Sequence, residues 1–165
     1  MKMQSQLAYF KSPQDIPDDL RELCIEYFFK FSRFEFALKE NGFLKKGRHK
    51  AAKPNWKKFI REYASTYSPS QEARNLMNDP PDRQIVRDGR CQWEKTDFAN
   101  FDSDLDKVVL VLKVIRNNLF HGGKNSQSDW DNPERSAFLI ENAISVLGDL
   151  ASLSELERDY WRNYY

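Results

Sequence analysis

Apolar residues recur every three or four positions at Leu20, Leu23, Cys24, Tyr27, Phe28, Phe31, Phe34 and Leu38. That spacing draws one apolar stripe along a long helix, and such a stripe must be covered by other elements. Pro17 at the entry, with Asp18 and Asp19 behind it, suits the positive end of a helix dipole. Asn41-Gly42 supplies the stop. The period returns twice. Leu105, Val108, Val109, Leu112, Ile115 and Leu119 follow Asp102-Ser103, either of which can cap a helix, and Gly122-Gly123 ends the run. Phe138, Leu139, Ala143, Val146, Leu147 and Leu150 follow Pro133, a first-turn residue. Three amphipathic helices that need one another for cover dictate helix-on-helix packing.

The remaining chain carries weaker signals. A shorter helix beginning at Pro54 has Trp56, Phe59, Ile60 and Tyr63 as its stripe and closes at Ser68-Pro69, and residues 70–78 add a helical turn. No helical period survives over 79–101. Pro80-Pro81 breaks the chain there, and Ile85-Val86 and Cys91-Gln92-Trp93 flank Arg87-Asp88-Gly89-Arg90, a hairpin signal whose strands would have to rest on helices. Residues 124–132 read as a polar loop. Glu155 to Tyr165 is either a last helical segment or a frayed end. The expectation is an all-α bundle of four to five helices, one domain over residues 1–165, with an irregular excursion between helices two and three.

Charge narrows the partners. Lys and Arg number 26 against 25 Asp and Glu, so electrostatic targeting has to be local. Lys45, Lys46, Arg48, Lys50, Lys53, Lys57, Lys58 and Arg61, with His49 and no acid among them, form the densest positive stretch. Phosphates are drawn to such a stretch. Trp56 and Phe59 inside it either stack bases, if exposed, or belong to the core stripe that their spacing favours. Asp97, Asp102, Asp104 and Asp106 mix helix faces and suit a helix start better than a metal site. No metal site and no cofactor motif is expected. Cys24 and Cys91 lie far apart, outside any CxxC pattern, and read as reduced thiols with Cys24 in the core. The first ten residues lack a signal-peptide pattern, and the longest unbroken apolar run, Val108 to Leu112, is too short for a bilayer. A cytoplasmic protein without membrane partners is expected.

One short stretch carries chemistry. The third long stripe finishes Arg116-Asn117-Asn118-Leu119-Phe120-His121, and then two glycines and Lys124 follow. Asn117 and His121 are four apart and share a helix face. Arg116 stands about 140° away on an ideal helix, at roughly 100° per residue, but a long side chain at a helix end can curl around. The helix C-terminus carries roughly half a negative charge, which favours imidazolium at His121 and repels phosphate unless Arg116, His121 and Lys124 together outweigh it. A guanidinium beside a titratable imidazole is the minimum kit for cutting RNA without a metal. One group moves a proton of the 2′-hydroxyl or the leaving oxygen, and the other steadies charge on the phosphorus oxygens. Arginine and histidine near a helix end also serve simply to satisfy the last carbonyls.

The Arg116–His121 segment resembles the signature of the HEPN superfamily, an arginine, a polar residue that is often Asn, about three variable residues and a histidine. Gly122-Gly123-Lys124 adds to the match. So does Phe31-Ser32-Arg33-Phe34-Glu35-Phe36-Ala37-Leu38-Lys39, which is similar to the corresponding helix of small plasmid- and phage-defence members. The resemblance implies an α-helical, dimeric, metal-independent endoribonuclease of toxin–antitoxin or defence systems, with a composite cleft formed across the dimer. It implies Arg116 and His121 as catalytic, Asn117 as positioning, and products with 2′,3′-cyclic phosphate and 5′-hydroxyl ends. Lys124, Asn118, Lys57 and Lys53 are the expected substrate-binding residues, RNA the expected partner, and an antitoxin or other regulatory protein a further one. Arg33 and Glu35, two apart, are expected in ordinary surface ion pairs. Other members of the superfamily only bind nucleotides or partners, so a non-catalytic binding module and an antitoxin-like scaffold stay open beside the enzyme.

Overall fold

The computed structural model describes residues 14, 16–120 and 132–162. It corrects the all-α expectation. Among the described residues 63% are helical and 12% lie in strands, with six α-helices and two small antiparallel sheets of two strands each.

Helix α1 (Asp18–Glu40) buries Leu20, Tyr27, Phe31, Phe34, Ala37 and Leu38. Its end follows from Asn41-Gly42. Gly42 takes φ 82°, which only glycine adopts at little cost, and lets the Phe43 N–H reach back to the Leu38 carbonyl at 2.9 Å. Phe43 then turns into the core. Phe28, counted in the apolar stripe above, is 46% exposed instead, because it lies outside the Tyr27–Phe31–Phe34–Leu38 line.

The first departure from a bundle comes next. Strands β1 (Leu44–Lys46) and β2 (Ala52–Pro54) pair antiparallel around a 3₁₀ turn at Arg48–Lys50, with His49 and Lys50 in the left-handed region. Pro54 therefore ends a strand instead of opening a helix. Helix α2 (Trp56–Tyr63) starts one residue after Asn55, whose side chain accepts the Lys58 N–H at 3.2 Å. Helix α3 (Gln71–Asn78), capped by Ser70, is two full turns where one was expected. The hairpin signalled by Asp88-Gly89 forms as strands β3 (Arg83–Arg87) and β4 (Arg90–Glu94), with positive φ at both turn residues. Arg83 pairs with Glu94 at 2.8 Å across it.

Helix α4 (Asp104–Phe120) begins with the Ser103 hydroxyl accepting the Asp106 N–H and buries Leu105, Val108, Val109, Val111, Leu112, Val114, Ile115 and Asn118. Helix α5 (Pro133–Leu153), capped by Asn132, packs against α1 and α3. Phe138, expected inside, is 42% exposed, whereas Leu139, Ile140, Ala143, Val146, Leu147 and Leu150 are buried. Helix α5 is long and apolar enough to cross a membrane, with a mean hydropathy of 1.3, but half of its apolar window is buried in this core. Helix α6 (Glu157–Trp161) closes the chain against α1. Arg33, expected in a surface ion pair, donates instead to the Asp159 carbonyl at 2.6 Å and to those of Tyr160 and Arg162. Glu35 accepts the Trp56 indole N–H at 3.0 Å. Both residues of the family-like segment thus hold the fold together. Phe31, Phe34, Phe43, Trp56, Phe59 and Tyr63 meet ring to ring between α1 and α2.

Candidate nucleic-acid interface along helix α4

The motif sits where α4 emerges from the core. Arg116 is half-buried, Asn117 exposed, and the Arg116 Nη1 donates to Asn117 Oδ1 at 3.0 Å. The guanidinium carbon lies 6.0 Å from the Phe120 ring centroid. The side chain is therefore steered from two sides, which costs part of its rotamer freedom before any ligand arrives. Nearby, Tyr27 is fully buried and its hydroxyl donates to the Leu112 carbonyl at 2.7 Å. Burial raises its phenol well above the ordinary value, partly offset by the positive field of Arg116. Tyr27 is thus a neutral structural group and no candidate base.

Asn118, one residue on, has the opposite placement. It is 5% exposed, and its amide donates 2.8 Å to the Asp82 carbonyl. It ties α4 to the approach to β3 and is turned away from any substrate that Asn117 could meet. His121 and Lys124 lie outside the described residues.

The basic stretch gathers on the neighbouring surface. A cleft of about 450 Å³ is lined by Lys45, Asn55, Lys57, Ile60, Arg61 and Asp106. Lys57, expected to bind substrate, is in its wall. Lys53, also expected there, stands on β2 directly across from Lys45. Trp56 and Phe59 are 5% and 0% exposed, so the core alternative holds and neither offers a stacking platform.

Sequence reasoning missed Lys113. It is the lone charge between Lys107 and Arg116, inside Val108-Val109-Leu110-Val111-Leu112-Lys113-Val114-Ile115, and that interruption was the signal. Its ammonium lies 5.0 Å from the Trp56 ring centroid. Burial lowers its basicity, Lys45 and Lys57 push the same way, and Glu35 and Asp106 oppose. Lys113 is four residues before Asn117 and seven after Asp106, so all three share one face of α4. That face joins the cleft to the motif.

An apolar surface flanks the motif on its other side. Ile16, Cys24, Ile25, Phe28, Leu119 and Phe120 line a groove of about 380 Å³ together with Arg21. Phe28 and Phe120 are in ring contact at 5.2 Å, yet each remains more than two-fifths exposed. Cys24 is half-buried and Cys91 exposed, both as free thiols. The Asp97 carboxylate accepts the Ala99 N–H, and that of Asp104 pairs with Lys107, as ordinary loop and helix-start contacts. Among the described residues no three His, Cys, Asp or Glu side chains converge as metal ligands. Comparison with family models, with curated proteins and with solved structures finds no match to this chain.

Proposed function

We propose that the chain is a cytoplasmic, metal-independent endoribonuclease of HEPN type, acting in a toxin–antitoxin or phage-defence setting. The observation that carries this reading is the Arg116–Asn117 pair, bonded side chain to side chain at the emerging end of α4, four and five residues before His121. In the reaction the substrate's 2′-oxygen attacks phosphorus and the bond to the 5′-oxygen breaks. His121 accepts the 2′-hydroxyl proton or delivers one to the leaving oxygen, Arg116 stabilises the charge on the phosphorus oxygens, and Asn117 holds the guanidinium in position. The products carry 2′,3′-cyclic phosphate and 5′-hydroxyl ends.

Two copies of the motif would make a composite cleft in a homodimer. The exposed Ile25, Phe28, Phe29 and Phe120 beside Arg116 support that association, since contiguous apolar surface of this kind marks interaction sites. A neutralising antitoxin or other regulatory protein is the further partner.

The test is incubation of the purified protein with RNA in EDTA, followed by analysis of the new ends. Arg116→Ala and His121→Ala each lose about 10²–10⁴-fold in cleavage while staying folded. Unchanged cleavage by well-folded His121→Ala sinks the assignment. RNA binding without any cleavage by the wild type selects the non-catalytic module, a reading favoured by the cation-lined cleft, which lies apart from the motif.

A further inference from the structure

The cations of the β1–β2 hairpin and α2 carry charge that the rest of the protein leaves uncompensated. Lys45, Lys53, Lys57 and Arg61 are all exposed, and among the described residues none of them forms an ion pair. Among the described residues, other cations do find acidic partners, as at Arg83–Glu94 and Arg135–Asp79. Lys45 and Lys53 face each other directly across the two strands. Like charges in that position destabilise a sheet. The hairpin has only three residue pairs to offset it.

The arrangement is also concave. Lys45, Lys57 and Arg61 surround a cleft of about 450 Å³ with the Asn55 carboxamide, the Ile60 side chain and a single carboxylate, Asp106. Low-dielectric walls around charges of one sign focus their field on the cleft. Lys113 adds to it from behind, where its basicity is already lowered by burial and by Lys45 and Lys57. Three cations against one carboxylate leave the cleft net positive. An anion there relieves repulsion on the hairpin, around Lys113 and within the cleft together.

The geometry gives the anion a direction. Asp106, Lys113 and Asn117 fall on one face of α4, and eleven residues at 1.5 Å each separate its ends by about 16 Å. A bound chain with a regular run of phosphates can lie along that face, with one phosphate in the cleft and a later one at Arg116. Ammonium groups hold phosphate as point charges and read no base. Trp56 and Phe59, the aromatics of this stretch, are in the core. The track therefore grips backbone and tolerates sequence.

We propose that the Lys45–Lys57–Arg61 cleft is a backbone-phosphate site for single-stranded RNA, holding the strand a few nucleotides from the bond at the Arg116 motif. Its position relative to the cut rests on the ribonuclease reading, whereas the phosphate site itself does not. Substrates too short to reach the cleft lose this grip.

The test uses the full chain carrying His121→Ala, so that RNA survives, and measures binding of a fluorescently labelled twelve-nucleotide oligouridine by anisotropy over a range of salt concentrations. Lys45→Gln/Lys57→Gln/Arg61→Gln is compared with Lys95→Gln/Arg74→Gln/Arg158→Gln, exposed cations outside the cleft. Each phosphate neutralised on a single strand contributes about 0.7 to the slope of log K against log salt, so emptying the cleft of its one phosphate lowers the slope by about 0.7. The control triple leaves it unchanged. Equal affinity and slope for the two triples overturns the site, as does absence of RNA binding or binding of polyglutamate in preference to RNA. Cleavage by the otherwise wild-type protein is measured separately. Loss of binding in the cleft triple, with no cleavage by the wild type, keeps the phosphate site and discards the ribonuclease.

Discussion

Two adjacent asparagines give the sharpest separation of folding from activity. Asn117 is exposed and accepts a hydrogen bond from the motif arginine, whereas Asn118 is 5% exposed and anchors Asp82. Asn118→Ala removes one neutral hydrogen bond, worth about 0.5–1.5 kcal/mol. Because Asp82 is itself exposed, water can reach its freed carbonyl, so the larger penalty for a buried unsatisfied group is avoided. Some buried packing is lost as well, bringing the total to about 1–2 kcal/mol. In a chain of 165 residues that lowers the Tm by about 2–4 °C per kcal/mol. Asn117→Ala costs less than about 0.5 kcal/mol, as surface substitutions do. Paired urea and thermal unfolding give the stabilities, and RNA cleavage per folded molecule gives the function. Asn118→Ala is destabilised with cleavage retained, and Asn117→Ala is stable with cleavage reduced. The reverse pattern, a stable Asn118→Ala without cleavage, would refute the division of roles between these neighbours.

The other expectations concern the supports of the site. Arg33→Gln removes charge-assisted bonds to the carbonyls of Asp159 and Tyr160 in α6 and of Arg162 just after it and destabilises by about 1.5–3 kcal/mol, with α6 amides losing hydrogen-exchange protection first; unchanged protection contradicts the cap. Lys113 gives a pH signature. Its basicity is lowered on folding, so the unfolded chain binds more protons in the window just below the ordinary lysine value of about 10.4, and stability rises with pH there. Lys113→Met removes that rise in urea unfolding across the window, and a variant whose curve still parallels the wild type refutes the burial of the ammonium.

Much of the helical frame was legible because a helix face is a local property. The period of three and four in residues 20–38 and 105–119 needs no partner to be read, and the cap at Ser103, the first-turn Pro133 and the stop at Gly42 sit where turn chemistry demands. Asp88-Gly89 likewise specifies its own tight turn. The β1–β2 hairpin was invisible for the converse reason. Its strand residues are almost all exposed, so Leu44–Lys46 and Ala52–Pro54 show no alternation, and lysines disguise them as a solvated loop.

The sequence alone determined where most of the helices run and where they stop, and that Arg116 and Asn117 stand in the last turns of one of them, since each of these depends on residues within a few positions of one another. Tertiary structure alone decided that Trp56 and Phe59 close the core, that Asn118 is a tie and Asn117 is not, and that Phe28 and Phe120 meet on the surface. It also set Lys45 against Lys53 and brought Lys113 within the field of Lys45 and Lys57. Those facts are relations between residues far apart in the chain, fixed by which faces the packed helices leave uncovered, and no local period encodes them.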